Sequence, residues 1–559
     1  MSEPIDFAKR YEFEVEVFDE ELGALGPGTL RFGAERWTHI RCNQFAAIKA
    51  LSEGGAGRIL KARTAIGECF TLFNCKRMGS YVGADYVFTG DVAGTFKRIE
   101  IRYSDISEWY SRWQKLDGKV GGAISWKNPV KHIATTVKTA RETFTLNTES
   151  EAAITQSGED YILHEHVLFC LEHHNGYFSP KDMQTRVLEL ANLLSILVAY
   201  PVSTISVNVV CENSLTHGAF FPTFKRVERD ASANDFPQLC FIQERSIHDR
   251  WEGIFNRYFN STYRQGSWSR LAGMQRYEGF WEFRALGYVS LLDRYVDQRY
   301  REANRRETKT VPPGGAVKKE LAGGLKAVDP HLTSKQRAAV MTIASRVFAQ
   351  ERDLNFGEKY RRAISESNQD IVRIVNISKE DVGLIKIVRD RVAHGAAPNL
   401  PDANLTRITI VISKIALLMT YWAFLDFGLT HDDFLRCLTT THNPLRFSGQ
   451  LDTTHIDRMT KPESFFAVSK EKFAELSAID GIRNFPCFTQ SASGAIEYSK
   501  EYSMAYRSWM TSDPGTSKRT SRADIFGVAR ERITYLSPAY IECDGECLRL
   551  SVALVIKDI

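Results

Sequence analysis

A change of hydrophobic period near Ile247 constrains this chain more than any composition figure does. From Tyr11 to about Trp113 apolar residues recur at every second position. Tyr11, Phe13, Val15 and Val17 alternate with Glu12, Glu14 and Glu16, giving one dry and one wet face to an antiparallel strand. Thr29–Phe32, Trp37–Ile40, Phe70–Phe73, Tyr86–Phe88 and Ile99–Tyr103 repeat the pattern. Gly26-Pro-Gly28, Gly54-Gly55, Gly83 and Gly90-Asp91 separate them as turns. Such a segment closes as a β-sandwich or barrel-like unit. It is expected to reach about residue 235, through a strand at 161–171, an amphipathic helix at 182–200 and a strand at 202–210, with room for two subdomains.

Beyond Ile247 the period becomes helical. Trp251, Ile254, Phe255 and Tyr258 share one helix face, and residues 280–303 form a long amphipathic helix carrying Phe283, Leu286, Leu291, Leu292 and Tyr295. Further helices are expected at 334–348, 355–366 and 378–394, with one long apolar helix from 405 to about 437. Residues 304–332 hold Pro312-Pro-Gly-Gly315 and Gly323-Gly324 among charges, a mobile connection by composition. Residues 448–559 return to mixed signals and end in strand-like 533–537 and 547–556. The expected class is α+β multidomain. A β-rich region at 1–235 precedes an all-α bundle at 245–445 and a small mixed α/β region at 448–559.

Charge excludes little by itself. The 72 basic and 68 acidic residues leave a formal charge of +4, so any phosphate-binding surface must be local. The N-terminal MSEPIDFAKRYEFEVEV lacks an apolar h-region, so the cytoplasm is the expected location and reduced thiols the expected state of the ten cysteines. Two apolar stretches mimic membrane spans. Pro201 breaks 188–210, and 408–429 carries Lys414 and Asp426, which a buried soluble helix tolerates better than a lipid-facing one. No membrane partner is expected. The absence of a G-x-x-x-x-G-K-[ST] loop argues against an NTPase.

His164, His166, His173 and His174 raise the question of a metal, with His164 and His166 on one strand face and Cys170 within reach, but there is no second, well-spaced half-site. Cys543 and Cys547 lack a second ligand pair, and a turn through Asp544-Gly545 accounts for them as a hairpin. No metal or other cofactor is expected.

The informative stretch runs from Ser378 to Gly395. Ser378 and Asp381 form a capping-box variant that starts a helix. Ile385, Val388 and Val392 share its packed face; Gly395 and Pro398 end it. Arg389 and His394 therefore lie near the helix tip, whose unpaired carbonyls favour a protonated imidazole. Residues five apart stand about 140° from each other on an ideal helix, so the pair needs the fraying end to converge. Asp390, four residues before His394, could orient the imidazole.

Arg389-Asp-Arg-Val-Ala-His394 resembles the R-x4-H motif of the HEPN (higher eukaryotes and prokaryotes nucleotide-binding) ribonucleases, with Asp390 in the polar slot. Gly28–Phe32, Ile66–Cys75 and Phe96–Trp109 resemble the N-terminal domain of the ApeA family, anti-phage defence factors that couple this domain to a C-terminal HEPN nuclease. Trp281–Tyr295 is similar to the first HEPN helix of that family. The likeness spans residues 10–440 and leaves 448–559 without a role.

The resemblance implies metal-independent cleavage of RNA, with tRNA an expected target, by attack of a ribose 2′-OH on the adjacent phosphate. It further implies a composite site in a homodimer and a phage-derived trigger sensed by the β-rich region. His394 would transfer a proton, and Arg389 would brace phosphate oxygens with a guanidinium fork. Arg391, Arg284 and Arg276 are the expected RNA contacts, the last two from an arginine- and aromatic-rich entry to the helical region. Two rival readings remain open: a non-catalytic recognition or scaffold protein, and a metal-dependent hydrolase built on the histidines of 164–174.

Overall fold

The strand read at residues 11–17 runs Arg10–Asp19 (β1) in the computed structural model of the protein, and it begins a closed barrel. The structure describes residues 5–43, 57–110, 116–119, 122, 124–126, 132–226, 236–307, 320, 323–324, 333–348, 354–393, 402–492, 494–512 and 521–557. They fall into two units, Met1–Leu451 and Asp452–Ile559.

In the first unit β1 pairs with Gly23–Gly33 (β2) and Arg58–Thr64 (β4); His39–Cys42 (β3) joins β2. Cys69–Met78 (β5) pairs with β4, and Tyr81–Gly83 (β6) bridges β3 to β5, so these six strands close on themselves. The free edge of β5 is shared. Phe70–Phe73 bond Tyr86–Thr89 (β7), whereas Lys76–Met78 bond β6. Asn74 stands between the two segments at φ 56°. That left-handed residue, a conformation Asn tolerates, lets one strand serve both barrel and open sheet.

The open sheet continues from β7. Along the chain its strands are Arg98–Tyr103 (β8), Ala134–Lys138 (β11), Thr143–Ser157 (β12), Asp160–His173 (β13), Thr204–Val210 (β14) and Thr216–Phe220 (β15), in the spatial order β7-β15-β14-β8-β13-β12-β11. Leu116–Gly118 (β9) and Ile124–Trp126 (β10) form a separate ribbon. The expectation of a sandwich or barrel-like unit resolves into a six-stranded barrel with an open extension.

Helix Pro180–Val198 (α1) starts from a Ser179/Asp182 capping box and ends at left-handed Ala199. Its Leu190, Leu193, Leu194 and Leu197 are fully buried, and the Tyr103 hydroxyl on β8 donates to the Val187 carbonyl at 2.7 Å. Helix Trp251–Asn260 (α2) ties the helical part to α1 through Tyr258, whose hydroxyl donates to the Glu189 carbonyl at 2.7 Å. At this junction Arg186 and Arg264 both pair with Glu189, Arg186 also pairs with Glu142, and both guanidiniums lie over the Phe259 ring.

The later helices are Trp281–Glu307 (α3), Ser334–Phe348 (α4), Phe356–Ser365 (α5), Gln369–Val375 (α6), Lys379–Ala393 (α7), Asp402–Asp426 (α8) and His431–Thr440 (α9). The helix α3 runs past residue 303 into the expected mobile connection, most of which lies outside the described residues. The single apolar helix read from 405 to 437 is two helices. Gly428 at φ 87° turns the chain, and Thr430 caps the second with its own capping box.

Long and apolar enough to cross a membrane by composition, Asn404–Asp426 has 78% of its most apolar window buried inside the protein. Its charges are partnered. Lys414 donates to the Asn376 carbonyl at 2.6 Å, and Asp426 accepts from Ser261 and from the Trp268 indole. Trp422 stacks on Tyr295 of α3 at 4.8 Å.

The second unit holds two small sheets. Ala539–Cys543 (β20) and Glu546–Leu550 (β21) form the hairpin read around Asp544-Gly545, both turn residues at positive φ, as a two-residue type I′ turn requires; Phe465–Ala467 (β16) runs parallel beside β20. The strand-like run 547–556 is divided, because Ala553–Lys557 (β22) leaves β21 to pair with Cys487–Gln490 (β17) and Ile533–Leu536 (β19) in the other sheet, where Ile496–Tyr498 (β18) flanks β17. Leu476, Phe488, Ile541, Leu550 and Val555 make its core.

Candidate functional site

Helix α7 begins as the sequence indicates. The Ser378 backbone NH donates to Asp381 Oδ2 at 3.0 Å and the Asp381 NH donates to Ser378 Oγ at 3.1 Å. Arg407 Nε on α8 donates to Asp381 Oδ1 at 2.7 Å, and Lys414 stands 4.0 Å from Oδ2. Burial opposes ionisation of Asp381, but the Ser378 amide and Arg407 outweigh it and hold the carboxyl below its ordinary range. The helix start is thereby pinned to α8, while Leu384, Ile385 and Val388 bury the same face along its length.

The catalytic candidates lie at the other end. Arg389 is half-exposed; its guanidinium pairs with Asp293 of α3 at 2.9 Å and lies 5.6 Å from the centre of the Phe356 ring on α5. One side chain of α7 is thus aimed by two other helices. Asp390 and Arg391 are exposed on the same last turns. His394, Gly395 and Pro398 lie outside the described residues, so the convergence of His394 with Arg389 or Asp390 has no described geometry. Asp293 and Phe356 were missed by sequence reasoning. Asp293 carries no local signal in the sequence, because its partner lies 96 positions further along the chain.

The expected RNA contacts divide. Arg284 is exposed and hydrogen-bonds the buried Tyr288. Arg276 is turned inward. It donates to Asn192 Oδ1 and Ser195 Oγ at 3.0 Å and to the Val202 carbonyl at 3.2 Å, and burial lowers its pKa to about 10. It ties the end of α1 to the segment after it, and an RNA contact there would have to displace those three acceptors. The aromatic residues interleaved with these arginines are largely core: Trp251, Tyr258 and Trp268 are buried. Several arginines are already paired, Arg250 with Asp433 at 2.6 Å and Arg299 with Glu366 at 3.1 Å.

His164 and His166 share a face of β13 with ring centres 6.0 Å apart, as their spacing indicates. Burial and then the Arg102 charge lower the His166 pKa to about 4. His164 bonds Thr155 Oγ1 at 2.9 Å, and His173 stands 3.8 Å from Glu142. Among the described residues no group of three His, Cys, Asp or Glu side chains is arranged to hold a metal ion.

The fold is that of a β-rich region with a six-stranded barrel, then a helical region, followed along the chain by a mixed sheet unit. The family model for ApeA N-terminal domain 1 matches residues 27–258, from within β2 to α2. The match supports an ApeA-type protein and an anti-phage defence family for this region. No curated protein and no solved structure matches the chain.

Proposed function

We propose that the chain is an anti-phage endoribonuclease whose cleavage chemistry resides at the tip of α7. The carrying observation is the placement of Arg389: a half-exposed guanidinium near a helix end, held by Asp293 and Phe356, five residues before a histidine. The ApeA-type domain upstream supports the biological setting. In this reading the 2′-OH attacks the neighbouring phosphorus and the 5′-oxygen leaves, giving a 2′,3′-cyclic phosphate and a 5′-OH. His394 transfers a proton, and Arg389 donates to the phosphate oxygens as charge builds. One tip supplies a single imidazole where two proton transfers are needed, so two copies of the chain meet around one phosphodiester. RNA, with tRNA the expected class, is the substrate; the cytoplasm is the compartment; and no cofactor is required.

The experiment is incubation of the purified chain, with and without phage lysate, with total RNA in chelator. The expected products are cyclic-phosphate ends in the unaltered chain and none in Arg389→Ala or His394→Ala. Intact RNA in every condition sinks the proposal. The Asp293–Arg389 ion pair favours a second reading, in which Arg389 only braces α3 against α7 in a recognition or scaffold protein. Destabilisation by Arg389→Ala without change in RNA ends would select it.

A further inference from the structure

A pocket of about 650 Å³ opens at one end of the barrel, far in sequence from α7. Its walls come from the start of β1, the turn after β2 and the segment that follows β15. The turn is shaped in advance. Gly33 lies at φ 118°, where a Cβ would stand 2.2 Å from the Lys9 carbonyl oxygen, and Glu35 follows in the left-handed region.

This turn presents Trp37. Its indole stacks on His39 at 4.3 Å, and Tyr81 meets both rings edge-on. Trp37 is nevertheless 44% exposed and lines the pocket. Across the pocket Phe224 is 57% exposed and is likewise backed, by the Arg276 guanidinium at 5.1 Å. Phe7 and Phe220, packed together at 4.9 Å, supply an apolar floor.

Four cations, Arg10, Arg36, Lys225 and Arg226, line the pocket with one carboxylate, Glu35, while Glu12 outside the lining pairs with Arg36 at 3.4 Å. Hydrogen bonds from Lys225 and Arg10 hold the Glu35 carboxyl below its ordinary range, so it stays ionised and anchors those two side chains. Among the described residues Arg226 has no acidic partner.

We propose that this pocket binds a nucleotide unit, its base against Trp37 or Phe224 and its phosphate on the cations around Arg226. Exposed aromatic rings backed from behind, beside clustered cations that outnumber the carboxylate among them, are the chemistry of single-stranded nucleic-acid sites. The volume suits one small ligand, and a fixed turn lowers the ordering cost of binding. The site stands whether or not α7 cuts RNA. Its ligand has two sources, a free nucleotide or one residue of an RNA strand.

The test is fluorescence anisotropy on the full chain with a labelled single-stranded 2′-O-methyl oligonucleotide, which has no 2′-OH and cannot be cleaved, in competition with AMP. Trp37→Ala should weaken binding about 10-fold or more. The paired exposed change Lys225→Glu with Arg226→Glu should weaken it similarly and flatten its salt dependence, with unchanged melting temperatures. Displacement by AMP identifies a free nucleotide as the ligand; binding by the strand alone identifies RNA; either supports the site. Three results overturn it: no binding of either probe, affinities unchanged in both variants, or a polyglutamate peptide that competes while Trp37→Ala is silent. Binding retained by Arg389→Ala would separate this site from the nuclease reading.

Discussion

If Arg389 acts on a phosphodiester, it must exchange Asp293 for phosphate oxygens, and the structure sets the size of that exchange. The pair is 2.9 Å long, with side chains 38% and 31% exposed. A solvent-screened pair of this kind contributes about 0.2–1 kcal/mol, at most a factor of about 5 in an equilibrium constant. The Phe356 contact, 5.6 Å from the ring centre, is made without a carboxylate acceptor, so it need not be given up in the exchange. Asp293→Asn should therefore leave single-turnover RNA cleavage within about 5-fold of the unaltered chain, on the faster side. Arg389→Ala should lose about 100-fold or more, as for a deleted donor to developing charge. Arg389→Lys should also lose most activity, because a point charge cannot reproduce the bidentate fork. The assay counts new RNA 5′-OH ends against time, with melting temperature as the folding control. If Asp293→Asn proves as inactive as Arg389→Ala while melting normally, the carboxylate itself takes part in the chemistry and the exchange reasoning fails.

Other expectations concern how the helical region is held. Asp433 is desolvated, yet hydrogen bonds from Arg250 and Thr430 outweigh that and bring its pKa from 3.8 to about 2. A lowered carboxylate stabilises above its unfolded pKa. About 2 kcal/mol should thus be lost as pH falls from about 4 to 2, and Arg250→Ala should shrink that part of the acid transition in denaturant titrations, leaving the share held by Thr430. Gly428→Ala places a Cβ 2.7 Å from Arg257 Cδ at φ 87° and should cost about 1–3 kcal/mol, read as a lowered midpoint in urea. Arg264→Ala leaves buried Glu189 with Arg186 as its remaining cation; a loss of about 3 kcal/mol is expected, and a neutral result would mean water reaches that junction. Ser378→Ala removes the α7 cap and should cost about 1 kcal/mol, with an equal loss of helix protection in hydrogen exchange.

Local signals carried much of the architecture. The glutamates of β1 alternate with its apolar residues and announce a half-buried strand; Ser378 with Asp381 announces the start of α7; Asp544-Gly545 announces a hairpin. Each is legible because its cause lies within a few residues: a period of two, a side chain reaching its own backbone, a turn that needs positive φ. The break between α8 and α9 was missed because Gly428 interrupts an otherwise continuous apolar run, and a lone glycine is ambiguous until its φ is known. Arg276 was read as a surface cation because nothing nearby shows that three acceptors from around the end of α1 enclose it.

The sequence by itself determined where many of the strands and helices lie, and that Arg389 rides near a helix end. Only the tertiary structure decided that β5 serves two sheets, that Asp293 and Phe356 aim Arg389, and that Trp37 and Phe224 face one pocket with four cations. Those outcomes depend on residues tens to nearly two hundred positions apart meeting in space. Such meetings are set by packing of the whole core, which no local period records.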